Sequence, residues 1–257
     1  MKHAVDLSHH NDVSWKKLKT DLVLYKATEG ITFKDPTFVN ARGNCKSPFY
    51  SYHFCGGGDP IEEAKFYLDN GKADGYALDY EIYLKDPVTW CKKFLDYVAK
   101  ETGKTPLLYI NASTCNGFDW TPCTKYPLWI AAYNYNTGVP GTEPKTGAWK
   151  DWTLWQYTSR GATTGVNGVA DLNLVRDSFF PSKIEPVIIA QELPKPQNDT
   201  QVPVLQTNVP TAVETSNNGT STVHTGLVYY TAYPNLTTLG SRWSRFIEFL
   251  ISLFAKK

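Results

Sequence analysis

The sequence predicts an α/β fold over residues 1–181, in which mostly parallel strands close as a compact, partly irregular barrel of the TIM type. Short strand-like runs alternate along this part of the chain with helical or mixed segments. A strand–helix–strand repeat is typical of parallel strands joined by helical crossovers. The many short strands in a chain of this length favour a barrel, whose reacting residues would lie at the C-terminal ends of its strands.

The predicted strands are short apolar runs, which occur in the order HAVDLS, LVLYKAT, FYSYHF, YALDYEI, PLLYIN, LWIAAYN and WTLWQYT. Two helices are predicted between them, within DPIEEAKFYLDNG and DPVTWCKKFLDYVAKETG. Each begins with an Asp that can cap the first turn, continues with Pro and ends at a Gly. The apolar residues of each segment recur at helical spacing, which indicates one buried face.

The composition argues against some classes of function. The formal net charge is +1 over 257 residues, so no global field favours nucleic acid or acidic membranes, and no nucleic-acid partner is expected. Aromatic residues make up 14% of the chain. This content indicates either a large aromatic core or a cleft that binds sugars through ring stacking.

The five cysteines are an odd number, and neither they nor the histidines have the spacing of metal ligands. We therefore expect reduced thiols, no metal and no cofactor. A disulfide between Cys115 and Cys123 is the alternative. The N-terminal residues lack the apolar core of a secretory signal, which predicts synthesis in a cytoplasm. The chain also lacks an apolar run long enough for an ordinary transmembrane helix.

The composition changes after Pro181. Residues 182–240 are rich in Pro and Thr and read as a linker with two short β-prone runs, EPVIIAQ and TGLVYYTAY. Residues 241–257 have apolar side chains at helical spacing among basic ones, which predicts a basic amphipathic helix. Such a helix either lies in a membrane interface or docks on a partner or on the main domain.

The stretch YALDYEIYL places Asp79 and Glu81 one residue apart in a predicted strand. Alternate residues of a strand share a face, so the two carboxylates would lie side by side, together with Ala77 and Tyr83. The repulsion between them should make one carboxyl hold its proton more tightly. Cleavage of a glycosidic bond needs one protonated carboxyl as donor and a second group that supports the cationic transition state.

Two further acidic residues follow apolar runs near the ends of the α/β unit, Asp6 after HAV and Asp171 after GVNGVA. If their strands belong to the barrel, each is a buried charge that needs a reason.

Several motifs in order resemble glycoside hydrolase family 25, the Chalaropsis-type lysozymes that include many bacteriophage endolysins. They are AVDLSHHND followed by Trp15, YKATEG, YSYHF, ALDYE, PLLYIN, LWIAAYN and LWQYTSRGATTGVNGVADLN. The resemblance covers residues 3–180. It implies a barrel with fewer helices than a full TIM barrel and hydrolysis of the β-1,4 bond between N-acetylmuramic acid and N-acetylglucosamine in peptidoglycan.

The resemblance also implies roles for individual residues. Glu81 would be the proton donor and Asp79 its partner, while Asp6 and Asp171 would be the family's two further acidic residues. Residues that match the family's sugar groove are Tyr52, Tyr109, Trp129, Tyr133 and Gln156.

Other residues of the motifs are expected to act structurally. We expect this of Trp15 and His53, with contact to the groove as the alternative for His53, and we expect an ion pair between Lys26 and Glu29. The sequence departs from the family pattern at Asn11 and at the run of three glycines in HFCGGGDP.

The second half of the reaction has several possible routes. The short spacing of Asp79 and Glu81 resembles that of enzymes in which the substrate's own N-acetyl group attacks the anomeric carbon, and this is the favoured hypothesis. A direct nucleophile and an inverting water are the alternatives.

Three functions are compatible with the sequence. The first is an active, monomeric muramidase, in particular a phage endolysin that acts at the bacterial cell wall. The second is a non-catalytic cell-wall-binding or virion protein, against which the presence of all four acidic residues argues. The third is a hydrolase of another N-acetylated glycan such as chitin.

Overall fold

The computed structural model describes residues 1–180. The strands are β1 (Lys2–Leu7), β2 (Asp12–Val13), β3 (Leu22–Glu29), β4 (Phe33–Lys34), β5 (Phe49–Phe54), β6 (Gly75–Asp79), β7 (Leu107–Asn111), β8 (Leu128–Ala131), β9 (Leu154–Gly161), β10 (Val166–Asn167) and β11 (Ala170–Val175). The α-helices are α1 (Phe38–Asn44), α2 (Pro60–Asn70), α3 (Pro87–Thr102) and α4 (Ala112–Gly117). The predicted linker, 182–240, and the predicted terminal helix, 241–257, lie outside the described residues.

Eight strands close into a barrel in the order β1, β3, β5, β6, β7, β8, β9 and β11, with β11 pairing back to β1. Every pair from β1–β3 to β8–β9 is parallel. Only β11 runs the other way, antiparallel to both β9 and β1. The predicted α/β barrel is confirmed. The strand β11 is not among the seven predicted runs, because its sequence ADLNLV interrupts the apolar residues with Asp and Asn.

The two predicted helices are α2 and α3, and their caps are as expected. The Asp59 carboxylate accepts hydrogen bonds from the backbone N–H groups of Ile61 at 2.9 Å and Glu62 at 3.0 Å. The Asp86 carboxylate accepts one from the N–H of Thr89 at 3.2 Å. These bonds satisfy N–H groups that have no partner inside the helix, which is why both helices begin where the sequence indicates.

Two apolar cores share the barrel wall. The larger core lies outside the barrel, between strands and helices, and holds the fully buried rings of Trp120, Trp152 and Trp155. The smaller core takes residues from all eight strands, which places it inside the barrel. Inside, alanines and leucines such as Ala4 and Leu24 are packed with a few aromatic rings. A large aromatic core, one of the two alternatives that the composition left open, is therefore present.

The described residues test two expectations, one about the state of the cysteines and one about membrane-spanning helices. All five cysteines are free thiols, and Cys115 and Cys123 are not joined. Within residues 1–180, no helix is both long enough and apolar enough to cross a bilayer.

Candidate active site

Four carboxyl groups meet at the end of the barrel where the parallel strands terminate. Asp6 is near the end of β1, Asp79 is the last residue of β6, and Glu81 lies two residues beyond it. Asp171 is at the start of β11, and its Cα pairs with that of Asp6. Because β11 is antiparallel, its first residues reach the same end of the barrel as the last residues of the other strands. We call this end the barrel mouth.

The predicted geometry of the Asp79–Glu81 pair needs a correction. Strand β6 ends at Asp79, so Glu81 lies in the following loop and not on the same strand face. Tyr83 is 88% exposed and does not accompany the pair. The two carboxyl groups nevertheless interact through a side-chain hydrogen bond. The loop after β6, and not strand alternation, therefore brings Glu81 back to Asp79.

Burial raises the pKa of all four carboxyl groups. The pKa of Asp79 is well above its usual value because of burial and then the charge of Glu81, and that of Asp6 because of burial and then the charge of Asp171. Burial raises the pKa of Asp171 to about 6. A site that strips water from several carboxyl groups disfavours their charged forms. The mouth therefore holds protons at a pH where exposed carboxylates have lost them.

Glu81 has a pKa raised to about 7. Burial is the largest cause, and the charge of Asp171 raises it further, whereas the hydrogen bond with Asp79 and the charge of Lys26 lower it. The repulsion expected from the sequence raises the pKa of Asp79 through the charge of Glu81, but it is not what raises the pKa of Glu81. Burial and Asp171 retain the proton, and the neighbour Asp79 opposes them.

Gln156 links two other predicted groove residues to the carboxyl groups. Its side-chain oxygen accepts hydrogen bonds from the hydroxyls of Tyr109 at 2.8 Å and Tyr133 at 2.5 Å. Its nitrogen donates to Asp6 at 2.9 Å and to Asp171 at 3.4 Å. Because both ends of the amide are occupied, its orientation is fixed. The network forms the floor of the site and holds the Asp6 and Asp171 carboxyls in place.

Asn173 belongs to the site and was missed by the sequence analysis. Its side-chain nitrogen donates to Asp6 at 2.8 Å, and its oxygen accepts from the indole N–H of Trp129 at 2.7 Å. The ring of Tyr52 packs edge-on against Trp129, with centroids 6.1 Å apart. Strand alternation could have found Asn173, since it lies two residues after Asp171 and shares its face.

All nine predicted site residues lie at or just beneath the mouth.

Lys26 provides positive charge at the mouth. Its ammonium group lies 2.8 Å from the Glu29 carboxylate, so the expected ion pair is confirmed. The same charge lowers the pKa values of Asp79 and Glu81 against the effect of burial. Lys26 also lies 4.6 Å from the ring centre of Phe54, which restricts its position.

His53 is fully buried and has a structural role. Its Nδ1 lies 2.8 Å from the Thr28 hydroxyl and its Nε2 lies 2.9 Å from the Glu63 carboxylate. Glu63 also accepts hydrogen bonds from the backbone N–H groups of Gly56 at 2.8 Å and Gly58 at 2.6 Å. The run of three glycines, 56–58, is thus tied to helix α2. The alternative that His53 contacts the groove is wrong.

Two further motif residues also shape the scaffold. Trp15 packs against the outer core, with its ring centre 6.0 Å from that of Tyr25. The side-chain oxygen of Asn11 accepts from the backbone N–H of Ser8 at 2.9 Å, which shapes the turn after β1. The expected structural role of Trp15 is confirmed, and Asn11, where the sequence departs from the family pattern, holds the turn after β1.

Comparison with known proteins identifies the family. A sequence model described as Glycosyl hydrolases family 25 matches residues 5–166. The chain belongs to this family. It is therefore a glycoside hydrolase, and its barrel with few helices is the family 25 fold.

Curated relatives of this family 25 chain include the N,O-diacetylmuramidase of Chalaropsis sp., which is 29% identical over 181 residues and is matched over 84% of its length by 58% of this chain. Lysozyme M1 of Streptomyces globisporus is 26% identical over 201 residues, 66% of each chain. The chain spans 49% of the length of the Autolytic lysozyme of Clostridium acetobutylicum.

Solved structures show the same fold. The catalytic domain of endolysin ply40 from bacteriophage P40 of Listeria monocytogenes has a TM-score of 0.60 and 27% identity, covering 69% of this chain and 94% of that one. The Clostridium perfringens spore cortex lytic enzyme SleM has a TM-score of 0.62 and 26% identity, covering 68% and 67%.

Proposed function

We propose that this chain is an N-acetylmuramidase that cleaves the β-1,4 bond between N-acetylmuramic acid and N-acetylglucosamine in peptidoglycan. The observation that carries the proposal is the set of four carboxyl groups at the barrel mouth, in which Glu81 has a pKa of about 7. The names of the curated relatives, a diacetylmuramidase and a lysozyme, support this substrate.

Glu81 is proposed as the proton donor. A carboxyl with a pKa near neutrality holds its proton in a large part of the molecules at physiological pH and can still release it. As the glycosidic bond breaks, this proton passes to the leaving oxygen. The resulting carboxylate then accepts a proton from the water that completes hydrolysis.

Asp79 is proposed to assist the substrate's acetamido group. The hydrogen bond with Glu81 leaves one oxygen of Asp79 open, because Oδ1 is buried and has no hydrogen-bond partner among residues 1–180. An unsatisfied buried acceptor costs about 1–3 kcal/mol, so a donor brought by the substrate would be stabilised there. The N–H of a 2-acetamido sugar is such a donor. Its carbonyl oxygen would then be oriented to attack the anomeric carbon.

The raised pKa of Asp79 also bears on the competing routes. A carboxyl that holds its proton is a poor nucleophile, which favours acetamide attack over direct attack by Asp79. In the favoured route the acetamide oxygen bonds to the anomeric carbon while the bond to the leaving oxygen breaks, and water later opens the cyclic intermediate. Trapping a covalent bond between the sugar and Asp79 would contradict this route.

The finer biological role is proposed as that of a monomeric bacteriophage endolysin, which is synthesised in the host cytoplasm and acts at the bacterial cell wall. The structural similarity to the endolysin ply40 catalytic domain supports it. From sequence alone, residues 241–257 are proposed to contact a membrane. If the full chain and a chain ending at residue 181 bind anionic vesicles equally well, the proposed membrane contact is wrong.

One experiment tests the main proposal. Purified peptidoglycan is digested with the wild type, with Glu81→Gln and with Glu62→Gln, an exposed glutamate of α2, and the new reducing ends are identified. Muramic acid ends are expected from the wild type and Glu62→Gln only. Full activity of Glu81→Gln would overturn the assignment of the donor. Binding without cleavage, or cleavage of chitin oligomers alone, would favour one of the two alternative functions.

A further inference from the structure

Tyr135 has an unusual setting at the barrel mouth. It lies in the loop after β8, two residues beyond Tyr133, whose hydroxyl donates to Gln156 in the floor of the site. Its side chain is 94% exposed. A single exposed aromatic residue is common on protein surfaces and would carry little by itself. The backbone around Tyr135 makes this ring different.

The residues on both sides of Tyr135 adopt left-handed backbone conformations. The φ angles are +48° at Asn134 and +51° at Asn136, and within residues 1–180 these are the non-glycine residues with positive φ. Such conformations cost free energy for a residue with a side chain, although Asn tolerates them better than most. Strained backbone of this kind is kept where the surroundings enforce it, often at binding sites.

Hydrogen bonds from the barrel wall enforce this turn. The side-chain oxygen of Asn136 accepts from the hydroxyl of the buried Thr158 at 2.7 Å and from the N–H of Ser159 at 3.0 Å. Its nitrogen donates to the Ser159 hydroxyl at 3.0 Å. The Asn134 side chain donates to the carbonyl of Thr142 at 3.1 Å. The turn is therefore fixed to β9 from one side and to its own loop from the other.

A fixed turn that holds an aromatic ring in water is suited to binding. The ring offers a flat apolar face with a polar tip, and little further ordering is needed when a ligand packs on it. The flat face of a pyranose ring presents C–H groups that match this surface. Because the loop starts in the floor of the site, the sugar on Tyr135 would belong to the same glycan strand as the sugars beside the cleaved bond.

We propose that Tyr135 is a stacking platform for an outer sugar of the glycan strand, beyond the two sugars that flank the cleaved bond. This inference rests on the proposed function of the mouth as a glycan-cleaving site. The ring supplies affinity for long strands and takes no part in bond cleavage. Its contribution is therefore absent with a substrate too short to reach it.

The test compares long and short substrates. Uncross-linked glycan strands and a short fluorogenic substrate that occupies only the central sites are digested with full-length wild type, Tyr135→Ala and Tyr135→Phe. Val39→Ala, at a side chain that is 81% exposed on α1, is the matched control. Tyr135→Ala is expected to raise KM on long strands roughly five- to tenfold and to leave the short substrate unchanged. Tyr135→Phe and Val39→Ala are expected to behave as wild type.

Three results would overturn the platform. They are an unchanged KM of Tyr135→Ala on long strands, an equal loss on both substrates, and a loss in Tyr135→Phe as large as in Tyr135→Ala. Binding of long strands to Glu81→Gln, with and without Tyr135→Ala, is measured alongside by co-sedimentation. If the wild type cleaves nothing, the proposed function fails, while this binding comparison still decides whether Tyr135 holds a glycan.

Discussion

Asp6 and Asp171 face each other directly across the antiparallel pair of β1 and β11. Both strands are part of a barrel that is otherwise parallel, and the reversed direction of β11 alone brings Asp171 to the mouth. Burial and the charge of Asp171 raise the pKa of Asp6 well above its usual value, and burial raises that of Asp171 to about 6. The amide of Gln156 donates to both and holds the pair together.

The charge of Asp171 should be visible in the pH dependence of activity. If Glu81 is the donor, kcat/KM falls as Glu81 loses its proton above about pH 7. Asp171→Asn removes a charge that helps to retain this proton, so the alkaline limb should move to lower pH by roughly half a unit to one unit. The measurement is a pH–rate profile on soluble peptidoglycan fragments. Asp177→Asn, at an exposed carboxylate, should leave the limb in place, and an alkaline limb that stays or rises in Asp171→Asn contradicts the assignment.

The same residue should affect stability as a function of pH. An unfolded Asp has a pKa of about 3.9, whereas in the folded chain the pKa of Asp171 is about 6. Between these values the folded state binds more protons, so the free energy of unfolding falls as pH rises from about 4 to about 6. In Asp171→Asn this contribution to the decrease in the free energy of unfolding should be absent. Thermal melts of both proteins from pH 4 to 7 test this, and parallel curves would refute it.

A methyl group at Gly57 should disturb the loop that carries Glu81. Gly57 has a φ of +82°, and a Cβ there would lie 2.7 Å from Cδ1 of Ile82, the residue after Glu81. We expect Gly57→Ala to lower stability by about 1–2 kcal/mol and kcat by roughly tenfold or more. Gly43→Ala is the control, because Gly43 lies in α1 with nothing within 4 Å of an added Cβ. Urea unfolding and steady-state kinetics measure both, and equal behaviour of the two variants would show that the contact is unimportant.

Neighbouring glutamates of α2 should differ sharply in their effect on stability. Glu63 is buried, and its carboxylate accepts hydrogen bonds from Gly56, Gly58 and His53. In Glu63→Gln an NH2 group replaces one of the two oxygens, so an N–H donor then faces another N–H donor. Glu63→Gln should cost about 1–3 kcal/mol. Glu62→Gln changes an exposed residue and should stay within about 0.5 kcal/mol of wild type. Chemical denaturation of the two variants gives the comparison, and a cost below 0.5 kcal/mol for Glu63→Gln would show that the buried carboxylate is dispensable.

The local sequence predicts much of the scaffold. The starts of α2 and α3 depend on Asp59 and Asp86, whose side chains bond to N–H groups only two or three residues away. The strands can likewise be predicted from short apolar stretches. Such signals need no knowledge of distant contacts, which is why these elements lie where the sequence places them.

The candidate site can be predicted only in part from such local signals. The motifs contain every predicted site residue, yet strand alternation places Glu81 on β6, whereas it lies in the loop after that strand. The role of Asn173 was also not predicted, since it depends on Asp6, a partner far away in the chain.

The sequence by itself determined the type of fold, the two capped helices and the acidic residues available for chemistry, because these follow from short-range spacing and residue type. The tertiary structure decided which way β11 runs, which carboxyl groups share the mouth and how far burial raises their pKa values. Those properties come from closing the barrel, since only closure places Asp171 opposite Asp6 and removes water from both.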